Sequence, residues 1–81
     1  MNWIEKDGKL TRLYVFATFQ DAMSFVSQVA QVAEEMDHHP GWRNVYNKVW
    51  VDLTTHDAGQ VTDLDFRLAE AMDGIAAKLL S

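Results

Sequence analysis

No cysteine occurs among the 81 residues, so neither a disulfide nor a thiolate-held metal can staple this chain, and no thiol nucleophile is on offer. Proline occurs once and glycine four times, too seldom for a linker or a low-complexity segment. The longest apolar runs, such as Leu13 to Ala17, fall far short of the roughly 20 residues that a bilayer-spanning helix needs. The N-terminus lacks a basic-then-apolar signal pattern, so a soluble, cytoplasmic protein is expected. Basic residues are also few: seven Lys and Arg stand against twelve Asp and Glu, for a formal charge of −5. They are scattered along the chain, which argues against direct nucleic-acid binding, because no phosphate-tracking patch can form.

What is present is a core. A hydrophobic share of 48% with 11% aromatics fits one globular domain over residues 1–81. A domain of this size buries only roughly 60% of its unfolded surface, so self-association is the expected extra support.

Asp7-Gly8 is the dipeptide favoured by a two-residue type I′ turn, and it lies between Trp3-Ile4-Glu5 and Leu10 to Phe16; a hairpin is expected there. Thr18-Phe19-Gln20-Asp21 has the form of a capping box, followed by Phe19, Ala22, Met23, Val26, Val29, Ala30 and Ala33 at helical spacing. A second apolar line, Phe25, Val29, Val32 and Met36, widens the stripe. That width suits either a partner packed on the first helix or a deep groove in the chain's own core. Pro40 is expected to stop the helix. Trp42 to Thr55 is β-rich, with Val49, Val51 and Leu53 expected inward and Asn47-Lys48 as the turn. Thr62-Asp63-Leu64-Asp65 opens a second helix with Leu64, Leu68, Met72, Ile75 and Leu79 on one face. The order is ββαββα: an α+β, two-layer fold with a four-stranded antiparallel sheet covered by helices on one face.

All three histidines sit near element ends, His38 and His39 at the end of the first helix and His56 just past the last strand. Singly, each is an ordinary surface or helix-terminal histidine. Together, a helix end and a strand end can converge at one sheet edge, where imidazoles that titrate near neutral pH can both give and take protons. Three imidazoles are also the nitrogen set of an open zinc site. Adjacent His38 and His39 diverge by about 100° on a helix, or to opposite faces of a strand, and rarely grip one ion, so no metal is expected. Glu34 precedes His38 by four residues and is placed to orient it. Asp65 is the third helical residue of its capping box, a sufficient structural reason for a carboxylate there. Tyr46, Trp42 and Trp50 are core or interface aromatics that can also stack on a flat heterocycle.

Taken together, Glu34-x-x-x-His38-His39-Pro40, Tyr46 after five further residues, His56 after nine more and Asp65 after a further eight resemble the signature of the pterin-4a-carbinolamine dehydratases. The stretches Asp37 to Val49 and Thr55-His56-Asp57 are similar to that family as well. The resemblance implies the same ββαββα fold and dehydration of 4a-hydroxytetrahydropterin to quinonoid dihydropterin, with no metal or organic cofactor. It implies a pocket of His38, His39 and His56, with Glu34 and Asp65 as supporting carboxylates and Trp3 as a pocket aromatic. It also implies a homodimer or homotetramer. The family includes non-enzymatic partner-binding members, a dimerisation cofactor and assembly factors, and such a role is the alternative expectation, through the first helix.

Overall fold

Asp7 and Gly8 both adopt positive φ, 54° and 76°, which is what a type I′ turn demands of its two central residues. They join β1 (Ile4–Lys6) to β2 (Lys9–Val15) in the expected hairpin. The structure, a computed structural model describing residues 2–80, continues with α1 (Phe19–Met36), β3 (Gly41–Val45), β4 (Lys48–Leu53), a single 3-10 turn (His56–Ala58) and α2 (Asp63–Leu80). The strands form one antiparallel sheet in the order β1-β2-β4-β3, and both helices lie against one face.

Strand alternation decides which side chains meet the helices. On β2 these are Leu10 and Tyr14, and on β4 they are Val49, Val51 and Leu53, as expected. The opposite face carries Ile4, Leu13, Val15, Val45 and Trp50, with the Arg43 guanidinium 3.9 Å from the Trp50 ring centroid. Phe25 of α1 closes an aromatic cluster in the core, 4.6 Å from Tyr14 and 5.0 Å from Phe16 between ring centroids. Its full burial contributes about 1.5–3 kcal/mol.

Two boundaries differ from expectation. The second hairpin turns at Tyr46 and Asn47, one residue earlier than Asn47-Lys48. Lys48 is already paired with both Val15 and Val45, and the Asn44 side-chain amide holds the turn by donating to the carbonyls of Tyr46 and Lys48. The first helix ends at Met36, before Pro40 acts. Asp37 takes the left-handed conformation (φ 51°), its N–H reaches the Glu34 carbonyl at 3.1 Å, and the His38 N–H reaches the Ala33 carbonyl at 3.0 Å. This is the Schellman arrangement, in which the helix stops by satisfying its own last carbonyls.

The wide apolar stripe of α1 is filled within the chain. Phe25 and Val29 are fully buried, and Val26, Val32 and Met36 pack on the same core, part of which α2 supplies through Leu68, Ala69, Met72 and Ala76. The deep-groove reading of that stripe accounts for its width.

Candidate active site

The reversal at Asp37 takes His38 and His39 off the helix and sends them to opposite sides. His38 turns inward and is 8% exposed, while His39 points to solvent. Beneath His38 lies Asp65, in the first turn of α2 and without any solvent exposure. His38 Nε2 stands 2.6 Å from Asp65 Oδ1. The other carboxylate oxygen, Oδ2, accepts from the Thr55 hydroxyl at 2.8 Å and from the Thr62 N–H at 2.9 Å. Thr62 and Thr55 hydroxyls are in turn 2.5 Å apart.

Proton arithmetic orders this group. A carboxylate only accepts, so Nε2 of His38 carries the hydrogen, and neutral His38 keeps its lone pair on Nδ1. Thr55 spends its single hydroxyl proton on Asp65, so the bond between the two threonines runs from Thr62 to Thr55. Asp65 therefore does more than the capping role expected of it. It accepts the Thr62 N–H as the third residue of a capping box should, and with its other oxygen it holds an imidazole.

Glu34 was expected to orient His38; instead its Oε1 lies 2.6 Å from Nε2 of His39. The physical reason is the early helix end, because the i, i+4 relation to His38 no longer holds once Asp37 leaves the helix. The Glu34–His39 pair is exposed, with side chains 77% and 57% accessible, and contributes about 0–1 kcal/mol. His56 opens the 3-10 turn after β4 and is exposed. The turn is closed by the Thr55 carbonyl, which accepts from the N–H groups of Ala58 (3.1 Å) and Gly59 (2.9 Å).

These segments converge on a cleft of about 290 Å³ lined by Asp37, His38, His39, Thr54, Thr55, His56, Asp57 and Leu64. All three histidines border it, His38 from the buried side and His39 and His56 at the solvent rim, with Asp65 against His38 and Glu34 against His39. Another groove, about 230 Å³ on the uncovered sheet face, carries no histidine. Among the described residues no group of three or more His, Cys, Asp or Glu side chains is placed to hold a metal ion. None of the described helices is long and apolar enough to cross a membrane.

Trp3 is a correction. It does not line this cleft: its indole is 7% exposed, packs edge-on against Tyr14, and donates its N–H to Asp73 at 3.0 Å. Asp73 also accepts from Arg12 and from the Tyr14 hydroxyl, both at 2.5 Å. Two side chains of β2 and the indole that immediately precedes β1 thus converge on one carboxylate of α2, and Trp3 is drawn into the core there. Burial, and then the Asp73 carboxylate, push the Tyr14 phenol well above its ordinary value. Tyr46 lies at the far end of β4 from His56, in the exposed β3–β4 turn.

The sequence placed Thr62 at a helix start and Thr55 beside His56 without showing that their hydroxyls support Asp65, and Asp73 was not singled out. Thr55 and Thr62 flank the turn that carries His56, and Asp73 interrupts the otherwise apolar line of Ala69, Met72 and Ala76; an acid at such a position was the available signal.

Residues 1–75 match the model of the pterin 4 alpha carbinolamine dehydratase family. The chain belongs to that family. A relative from Bradyrhizobium sp. strain BTAi1, provisionally named pterin-4-alpha-carbinolamine dehydratase, is 56% identical over 79 residues, covering 95% of this chain and 80% of the relative. One from Solibacter usitatus with the same provisional name is 52% identical over 75 residues, covering 93% and 79%. Among solved structures, a transcriptional coactivator/pterin dehydratase from Brucella melitensis superposes with a TM-score of 0.90 at 43% identity, covering 93% of this chain and 82% of that one. A pterin dehydratase-like protein identified as a RuBisCO assembly factor in the alpha-carboxysome shares the fold, with a TM-score of 0.80 at 20% identity over 94% of this chain and 90% of its own. The dehydratase fold is thus shown, in agreement with the ββαββα order expected from turns and periodicity.

Proposed function

We propose that this protein is a 4a-hydroxytetrahydrobiopterin dehydratase that works without metal or organic cofactor. The observation that carries the reading is the convergence of His38, His39 and His56 on one cleft, with a buried carboxylate behind the first. The reaction breaks the C4a–OH bond and removes the N5 proton, forming a C4a–N5 double bond and water, so one acid and one base beside a flat bound ring suffice.

His38 is the base. Its Nε2–H is committed to Asp65, its Nδ1 lone pair is available to take the N5 proton, and the carboxylate stabilises the imidazolium that results. His56, exposed on the opposite segment, is the acid that protonates the departing hydroxyl. His39, steadied by Glu34, binds the ring or serves as a second acid. The product would be quinonoid dihydropterin, returned to the tetrahydro form by a reductase, in support of aromatic amino acid hydroxylases in the cytoplasm.

A coupled hydroxylase assay following loss of the 4a-hydroxy intermediate by ultraviolet absorbance tests this. Wild type should exceed the spontaneous rate, and His38→Ala and His56→Ala should each lower kcat by about 10²-fold with circular dichroism unchanged. Wild type that binds dihydropterin yet leaves the spontaneous rate unaltered would sink the enzymatic reading in favour of a partner-binding role.

The same proposal includes a homodimer or homotetramer, supported by the uncovered sheet face bearing Ile4, Leu13, Val15, Val45 and Trp50. Sedimentation showing only folded monomer at micromolar concentration would remove it.

A further inference from the structure

Thr55 spends every polar group it has on the two sides of the cleft. Its hydroxyl, supplied with a hydrogen bond by Thr62, donates to Asp65, which holds His38. Its carbonyl accepts the N–H groups of Ala58 and Gly59, closing the turn that starts at His56, and its N–H donates to the Gln60 carbonyl at 3.1 Å. One residue therefore links the buried imidazole to the exposed one, through a hydroxyl on one side and its backbone on the other. Asp65 is fully buried and Thr55 half-buried at the edge of the cleft, so the bond between them ties the wall of the cleft to the core.

We infer that Thr55 is a positioning residue that sets the separation and mutual orientation of His38 and His56. The inference rests on the dehydratase reading for its kinetic consequence, but not for its structural one. A ring held between an acid and a base loses rate when either moves, because proton transfer requires both within hydrogen-bond reach at once. Binding depends far less on this spacing.

The test replaces Thr55 by Val, which keeps the β-branched shape and the backbone groups, and by Ser, which keeps the hydroxyl. Thr55→Val should lower kcat by about 10-fold with KM within about twofold. It should also accelerate amide exchange at Ala58 and Gly59 by about 10-fold and shift the ring nitrogen signals of both His38 and His56. Thr55→Ser should restore all three. Thr62→Val, which removes only the far hydroxyl, should move His38 signals while leaving exchange at Ala58 and Gly59 at the wild-type rate, and it serves as the probe if Thr55→Val does not fold. Unchanged ring signals and exchange in folded Thr55→Val would overturn the inference, as would a loss of turnover that Ser fails to restore. Exchange and ring signals are read without turnover, so an inactive wild type would remove the dehydratase reading while these measurements still decide the role of Thr55.

Discussion

Asp65→Asn isolates the charge of the buried carboxylate while preserving its shape. Three hydrogens point at Asp65 in the native protein: His38 Nε2–H, the Thr55 hydroxyl and the Thr62 N–H. An asparagine amide brings two hydrogens of its own and has two ways to fit. With Nδ2 toward Thr62, two donors would face each other at the 2.9 Å now spanned by a hydrogen bond, an arrangement costing about 1–3 kcal/mol for the buried group left unmade, on top of the weaker bond to His38. With Nδ2 toward His38, the imidazole shifts its hydrogen to Nδ1 and accepts at Nε2, so every bond survives. The cost is then only the exchange of a charge-assisted bond for a neutral one, about 1–2 kcal/mol. The second arrangement wins, and against a stability of about 4–12 kcal/mol for a chain of this length the variant stays folded.

Its chemistry does not survive. The lone pair at Nδ1 is lost, so the base proposed for the dehydration is gone, and kcat should fall by about 10²–10⁴-fold. Urea unfolding should show a midpoint lower by about 1–2 M, given a slope near 1 kcal/mol/M for a small domain. Long-range proton–nitrogen correlation spectra should show wild-type His38 as the Nε2–H form and the variant as the Nδ1–H form. A folded variant that keeps the Nε2–H form and turns over within about threefold of wild type would refute the tautomer argument at its root.

Asp73→Ala leaves Trp3, Arg12 and Tyr14 without their common acceptor, and should lower stability by about 2–4 kcal/mol in urea titrations while leaving the intrinsic dehydration rate of the folded fraction intact, since Asp73 does not line the cleft. The same hub predicts an alkaline limit. The folded phenol of Tyr14 ionises above its unfolded counterpart, so its contribution is full below about pH 10 and is lost as pH rises beyond that. Thermal melts across that range should show wild type falling faster than Tyr14→Phe, and parallel curves would contradict the assignment. Phe25→Ala, at a site with no exposure between Tyr14 and Phe16, should cost about 3–5 kcal/mol, enough to leave much of the chain unfolded by circular dichroism.

Local physics made much of this protein readable from its residues. A type I′ turn needs two residues tolerant of positive φ, and Asp7-Gly8 supplies them wherever it occurs between strands. Thr18 caps α1 through a bond only three residues long, and strand alternation alone sends Val49, Val51 and Leu53 to one face. Their places at element ends, and then resemblance to the family, singled out the three histidines, and the structure brings them to one cleft. What stayed hidden depended on contacts across the chain. Asp65 was sufficiently explained by a capping box, and only the packing of α2 under the α1–β3 connection put His38, 27 positions earlier, against its second oxygen. Glu34 changed partner from His38 to His39 because a left-handed residue at Asp37 rotated the chain, a choice made by unsatisfied helix carbonyls rather than by spacing. Trp3, 70 positions from Asp73, entered the core because a buried indole N–H must find an acceptor, and the one within reach belonged to the last helix. Sequence by itself determined the elements and their inward faces, since these follow from each residue's near neighbours. Tertiary structure decided which polar groups share protons, because buried donors and acceptors must be matched across the whole fold at once.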